Sequence, residues 1–200
     1  MTYRTEEPAD PLAHFADWYE PALHSEVTPD RNAMTLATAT REGRPSARMV
    51  LLKSYDARGF VFFTNYESRK GQELAENPFA ALVLYWPELR RQIRIEGRVE
   101  RVSPAESDAY FASRPRGSQI AARASRQSAP IAGRPALEGA VETVSAEFQD
   151  HAVPRPEYWG GFRAVPERIE FWEGRRDRLH DRLLYTRLPD GSWSVQQLSP

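Results

Sequence analysis

From Ala33 onward the chain alternates apolar and polar residues with a period of two, and each alternating run ends at a turn signal. Met34 and Leu36 start the first run, Glu42-Gly43-Arg44-Pro45 reads as a turn, and Arg48-Met49-Val50-Leu51-Leu52-Lys53 follows. Asp56-Ala57-Arg58-Gly59 turns the chain into Phe60-Val61-Phe62-Phe63-Thr64. Runs this close together, joined by tight turns, pair as an antiparallel meander. Residues 79–86 and 92–102 read as two more strands, the second with Gly97 as a candidate bulge. Near the C-terminus the pattern returns at 161–165, 168–172, 179–187 and 192–198, with Pro189-Asp190-Gly191 as a hairpin turn.

Helical patterns interrupt these strands. Asp10 caps a helix that Pro11 starts, and Leu12, Phe15, Trp18, Tyr19 and Leu23 give it an apolar face. Shorter helices are expected at 68–77, 104–113, 118–124 and 135–149. No internal repeat or linker divides the chain. It is therefore expected to form one α+β domain over 1–200, with 1–10 a flexible N-terminal segment, built on a closed or nearly closed antiparallel barrel. No glycine-rich loop joins a strand to a helix, so any nucleotide must be held by side chains.

Composition removes several functions. A formal net charge of −1 gives no general attraction to nucleic acid or anionic lipid. No apolar run approaches the ~20 residues that span a bilayer. The start, Met1 to Glu7, is acidic and lacks the apolar core of a signal peptide, so the cytoplasm is the expected address. With no cysteine there is no disulfide, thiolate catalysis or cysteine zinc site. Of 27 basic residues only Lys53 and Lys70 are lysines. Either a planar guanidinium does not fit at those two places or the skew is chance.

Three constellations stand out. Arg48 and Lys53 share one strand, and Ser68-Arg69-Lys70 sits where the next helix starts. Free N–H groups and the positive end of the helix dipole favour an anion there; the bland alternative is a solvated basic face. Tyr110, Arg114 and Ser118 are spaced four apart, although Pro115 breaks the helix between them. They suit a second phosphate or carboxylate, or else form an ordinary helix edge. Arg178, His180 and Arg182 alternate, so on a strand they would face one way. Two guanidiniums around an imidazole make sense facing an anionic ligand, and the alternative is again a solvated face. His14, His24 and His151 have no neighbours in sequence that would make a metal site.

Taken in order, these segments resemble the pyridoxine 5′-phosphate oxidase family from about Asp10 to Pro200. The resemblance is carried by Arg48–Lys53, Phe63-Thr64-Asn65, Ser68-Arg69-Lys70, Arg91-Gln92, the run from Tyr110 to Ile120, and Ser125-Arg126-Gln127-Ser128. It continues through Trp159-Gly160-Gly161-Phe162-Arg163, Ile169-Glu170-Phe171-Trp172 and Arg178-Leu179-His180-Asp181-Arg182. It implies a homodimeric split barrel with FMN between the subunits. The implied FMN residues are Arg48, Met49, Val50, Leu51, Phe63, Thr64, Arg69, Lys70, Gln92, Gln127, Ser128, Trp172 and Arg182. The implied substrate residues are Lys53, Tyr110, Arg114 and Ser118 around a phosphate, with Arg178 and His180 over a pyridine ring as the catalytic pair and Asp30 nearby.

The implied reaction takes hydride from C4′ of pyridoxamine or pyridoxine 5′-phosphate to the flavin. Oxygen then reoxidises the flavin to give hydrogen peroxide, and the amine substrate also yields ammonia; the product is pyridoxal 5′-phosphate, as in vitamin B6 biosynthesis and salvage. Two positions depart from the family pattern. Tyr3-Arg4 is only a fragment of the N-terminal segment that covers the substrate in relatives, and Phe63 stands where relatives commonly have tyrosine. The competing readings are a related flavin oxidase acting on another anionic aromatic, such as a phenazine precursor, and a non-catalytic flavin- or pyridoxal-phosphate-binding protein.

Overall fold

The computed structural model describes residues 8–24 and 30–200. The Tyr3-Arg4 fragment and most of the segment expected to be flexible lie outside them. Pro8 is inside, and its carbonyl accepts a hydrogen bond from the Tyr185 hydroxyl at 2.9 Å.

Helix α1 (Pro11–Leu23) starts as its sequence requires. The Asp10 carboxylate accepts the Leu12 N–H at 2.9 Å, and Pro11 occupies the first turn, where no N–H partner is needed. Its apolar face buries Phe15, Trp18, Tyr19 and Ala22. Strands β1 (Ala33–Ala39), β2 (Pro45–Leu51), β3 (Ser54–Asp56) and β4 (Gly59–Asn65) form the meander. Helix α2 (Arg69–Glu76), β5 (Phe79–Trp86) and β6 (Arg91–Arg101) follow, then α3 (Pro104–Ser113), α4 (Arg116–Ala124) and α5 (Arg134–Glu147). Strands β7 (Trp159–Glu173), β8 (Asp181–Arg187) and β9 (Trp193–Gln197) end the chain.

The strands run antiparallel in the order β2-β1-β5-β6-β7-β4-β3, with β8 on β7 and β9 on β8. The two ends of that order, β2 and β3, are separated in sequence only by Leu52 and Lys53. The sheet must therefore curl until its edges meet, and Lys53 N–H donates to Val61 O of β4 at 2.9 Å where they do. The result is an α+β split barrel. Alternation sends Met34, Leu36, Leu82, Leu84, Ile93, Ile95, Phe60 and Phe62 inward, and α1 closes the barrel over them. A smaller apolar cluster of Phe111, Ile120, Val153 and Trp159 joins α3 and α4 to the start of β7.

Three local expectations change. Arg48 and Lys53 do not share a strand, because β2 ends at Leu51 and Lys53 lies in the two-residue link to β3. The runs 161–165 and 168–172 are one strand, β7, not two. Pro166, which has no N–H to give a ladder, lies opposite Gly97, where the register between β6 and β7 shifts and the missing bond costs nothing. The run 179–187 does not begin as a strand. Residues Arg176–Arg178 form a 3₁₀ turn, Asp177 and Arg178 adopt φ of 57° and 61°, and pairing starts only at Asp181. Arg178, His180 and Arg182 therefore do not share a strand face; of the three only Arg182 is on β8. Among the described residues no helix is long and apolar enough to cross a membrane.

Candidate functional site

Three groups of side chains carry the residues singled out in the sequence, and β4 and β7 position all three. The first surrounds the start of α2. Ser68 caps that helix by accepting the Gly71 N–H, and the amphipathic turn after it buries Lys70. The Lys70 ammonium donates to Gln127 Oε1 at 2.9 Å, to Thr64 Oγ1 at 3.3 Å and to Ser68 Oγ at 3.4 Å. Thr64 also donates to Gln127 Oε1, at 3.1 Å. Burial, and then the nearby Arg48 charge, pushes the Lys70 ammonium below its ordinary range. A charge held under those conditions favours an arriving anion. A cleft of about 350 Å³ opens beside this group, lined by Asn65, Arg69, Arg126, Gln127 and Ser128 among others. Ser128 stands at a φ of 73°, in the left-handed region that a turn apex uses.

Glu73 organises the cations of this group and was missed in the sequence. Arg69 Nε donates to its Oε1 at 2.9 Å, and Arg48 Nη2 reaches its Oε2 at 3.3 Å. The Ser46 hydroxyl donates to Oε2 at 2.6 Å, and Thr38 donates to the same oxygen. Burial alone would raise this carboxyl; the hydrogen bonds from Ser46, Thr38, Arg69 and Arg48 outweigh it and hold it at about 2. Three cations, Arg48, Arg69 and Lys70, thus stand against one buried carboxylate, an excess that suits a phosphate dianion. The pairing of Arg69 with Glu73 at i, i+4 was the available signal.

The second group lies across β4. Neighbouring residues on a strand point to opposite faces, so Thr64 joins the Lys70 group while Phe63 packs the other way, its ring 4.0 Å from Tyr110 and 5.5 Å from Trp159. Lys53 Nζ sits 5.9 Å from the centre of the Tyr110 ring. Arg114, the C-cap of α3, lays its guanidinium over Trp159 at 4.7 Å. Its Nη1 is buried and has no hydrogen-bond partner among the described residues. Burial lowers the pKa of that guanidinium, which Tyr110 opposes. Ser118 lies in the first turn of α4, after Pro115, which caps the helix without a side-chain hydrogen bond.

The third group is a cross-strand row. Tyr85 of β5 is opposite Gln92 of β6, Gln92 is opposite Trp172 of β7, and Trp172 is opposite Arg182 of β8. Directly opposed residues share a sheet face. His180 lies beside this row, its ring 4.6 Å from Trp172, and its Nδ1 accepts the Arg175 N–H at 3.1 Å. Arg182 is tied to the buried Glu170 at 2.8 Å, a hydrogen bond that raises the arginine further. Arg178 is exposed in its turn.

Within one chain the structure does not bring the third group to the first two. Thr64 pairs with Gly160 at the start of β7 and Arg182 pairs with Trp172 near its end. The two positions are twelve residues apart along the strand, about 40 Å at ~3.3 Å per residue. The remaining expected residues are peripheral. Asp30 is exposed, and its carbonyl accepts the Ala33 N–H at 2.8 Å. Met49 and Leu51 are exposed on β2, with Val50 between them half-buried.

The fold and these groups define a class, a curled antiparallel split barrel that carries clustered cations on its strands and helix starts. Residues 21–148 match the family model "Pyridoxamine 5′-phosphate oxidase", and residues 159–200 match "Pyridoxine 5′-phosphate oxidase C-terminal dimerisation region". The chain belongs to the pyridoxine/pyridoxamine 5′-phosphate oxidase family of oxidoreductases. It is 58% identical over 191 residues to the pyridoxine/pyridoxamine 5′-phosphate oxidase of Trichormus variabilis, covering 96% of this chain and 89% of that protein. It is 59% identical over 193 residues to the protein of the same name from Burkholderia lata, with the same coverage of 96% and 89%. The crystal structure of PhzG from Burkholderia lata, in complex with tetrahydrophenazine-1-carboxylic acid, superposes with a TM-score of 0.92 at 35% identity, covering 100% of this chain and 98% of that one. A pyridoxamine 5′-phosphate oxidase-related, FMN-binding protein from Nostoc punctiforme shares the fold, with a TM-score of 0.74 at 19% identity, covering 98% of this chain and 100% of that one.

Proposed function

We propose that this protein oxidises pyridoxamine or pyridoxine 5′-phosphate to pyridoxal 5′-phosphate as an FMN-dependent homodimer, with oxygen as the final acceptor. The observation that carries this reading is a pair of separate cationic groups on either side of β4. One is built on Lys70, Arg48 and Arg69, and the other on Lys53 and Arg114. Two such groups fit two phosphorylated ligands, a flavin mononucleotide and a vitamer.

The residues present fit FMN. Lys70, Thr64, Gln127 and the cations paired to Glu73 hold a phosphate, and Gln92, Trp172 and Arg182 offer a row of donors and an aromatic face to a ring system. When bound, FMN supplies the two-electron acceptor chemistry, which oxygen renews. The chain binds and orients. Lys53, Tyr110, Arg114 and Ser118 fix the substrate phosphate, and the buried Arg114 Nη1 gains there the acceptor it lacks. His180 accepts at Nδ1, so its neutral ring carries the proton on Nε2 and donates to the substrate, while Arg178 neutralises substrate charge.

The 40 Å of β7 between the Lys70 group and the Trp172 row supports a site completed by a second copy. The match of residues 159–200 to a dimerisation region supports it too, as does the exposure of Met49, Phe79 and Tyr85 on the sheet.

The likeness to PhzG favours a second reading, oxidation of a reduced phenazine carboxylic acid. Relatives at 58% and 59% identity named for the vitamer outweigh it, as does a second anion group with two cations. The deciding experiment gives purified flavin-loaded protein either pyridoxamine 5′-phosphate or a dihydrophenazine carboxylic acid and records peroxide release. We expect a yellow protein and peroxide from the phosphate ester. Peroxide from the phenazine alone, or a protein that retains no flavin, overturns the reading.

A further inference from the structure

Arg114 is an unusual group to leave without a fixed partner. Its guanidinium is half-buried at the break between α3 and α4, Nη1 has no acceptor, and no carboxylate pairs with it among the described residues. A long side chain in that state would sample many rotamers unless something else held it. Two features hold it. The first is Trp159, buried in the second apolar cluster, whose ring lies 4.7 Å below the guanidinium carbon and nearly parallel to the rings of Phe63 and Tyr110, at 13° and 8°. The second is Gln119. Its amide nitrogen donates to the carbonyls of Phe111 at 3.0 Å, Ala112 at 3.2 Å and Arg114 at 3.0 Å. The Phe111 carbonyl also takes the Arg114 N–H at 3.2 Å, so the amide ties the last carbonyls of α3 together and fixes the backbone from which Arg114 projects.

We propose that Trp159 and Gln119 are positioning residues for substrate-phosphate recognition, holding Arg114 in place from the side chain and from the backbone respectively. The π face of Trp159 attracts the cation without consuming its N–H donors, as a carboxylate would, and leaves them for an incoming phosphate. Gln119 spends its own donors on carbonyls and so competes for nothing that the ligand needs. The inference rests on the reading of Arg114 as a substrate-phosphate group, and the test separates the two.

Steady-state kinetics with pyridoxamine 5′-phosphate on the flavin-loaded enzyme, together with FMN affinity from fluorescence quenching, are measured for Arg114→Ala, Trp159→Leu, Trp159→Phe, Gln119→Leu and the double variant Arg114→Ala/Trp159→Leu. Losing a cation–π contact of this kind should raise KM roughly five- to tenfold in Trp159→Leu, with kcat and FMN affinity within about twofold of wild type. Trp159→Phe, which keeps a ring, should recover part of the loss. Gln119→Leu should move KM in the same direction. In the Arg114→Ala background the Trp159 substitution should add nothing to KM, a non-additivity that general destabilisation does not produce. If Arg114→Ala raises KM while Trp159→Phe and Gln119→Leu both leave it at the wild-type value, the positioning claim fails and the phosphate reading stands. If Arg114→Ala itself leaves KM unchanged, both fail. Should Trp159→Leu not fold, the phenylalanine and Gln119 variants decide alone.

Discussion

Glu73 contributes to stability through the same hydrogen bonds that order Arg48 and Arg69. Its carboxyl is held at about 2 against an ordinary value of 4.5, and such a difference in a buried group contributes ~3 kcal/mol to folding at neutral pH. A depressed carboxyl stabilises above its unfolded value and loses that stabilisation as pH falls towards its folded value. The contribution is therefore complete above about 4.5 and drains away between there and about 2. Glu73→Gln should be less stable than wild type by ~2–3 kcal/mol at pH 7, and the gap should narrow by pH 3. Urea denaturation of both proteins at the two pH values measures it, and a gap that does not change with pH would detach Glu73 from the arginines. The cations of this group were legible from residue type and helix position. Glu73 was not, because a glutamate paired to Arg69 at i, i+4 in a polar helix looks like a solvated ion pair until tertiary packing buries it against β1 and β2.

Strand β7 carries most of the fold's organisation, and one irregularity in it decides which side chains face the core. Before the bulge Phe162 and Ala164 point inward; after it Ile169 and Phe171 do, so the odd residues replace the even ones and Trp172 is turned outward. Gly97 permits that switch. A Cβ there would stand 2.0 Å from the Val165 carbonyl oxygen. Gly97→Val should cost about 1–3 kcal/mol or more, and in retained folded protein should disturb the Trp172 row before the Lys70 group. Thermal unfolding reads the first effect and Trp fluorescence the second; a variant as stable as wild type would mean that the bulge is not fixed by this glycine. Glycine in a long alternating run announced this bulge, whereas Pro166 disguised it as a strand end. The turn before β8 was misread for the opposite reason. Arg178, His180 and Arg182 alternate, but Asp177 and Arg178 take left-handed backbone that no periodicity signals.

At the scale of the molecule, the Lys70 group and the Trp172 row lie at opposite ends of β7, and sequence order alone could not reveal that separation. Register does: Thr64 meets Gly160, and Arg182 meets Trp172. A two-fold dimer repeats every contact, so it would join the Lys70 half of each chain to the Trp172 half of the other and make two equivalent sites. Subunit mixing tests this. Lys70→Ala damages one half-site and should weaken FMN by ~1.5–3 kcal/mol, the value of a hydrogen bond to a charged group. Arg182→Ala damages the other. Each variant alone carries one lesion in every site. In a dimer of one chain of each kind, one site collects both lesions and the other collects none. Random pairing makes half the dimers mixed, so about a quarter of all sites should regain wild-type flavin affinity and peroxide output when the two are co-expressed. A site built within one chain predicts no recovery at any ratio. Titrating the co-expressed pool with FMN should then show a tight phase of about that size above the weak one, and its absence would return both half-sites to a single subunit.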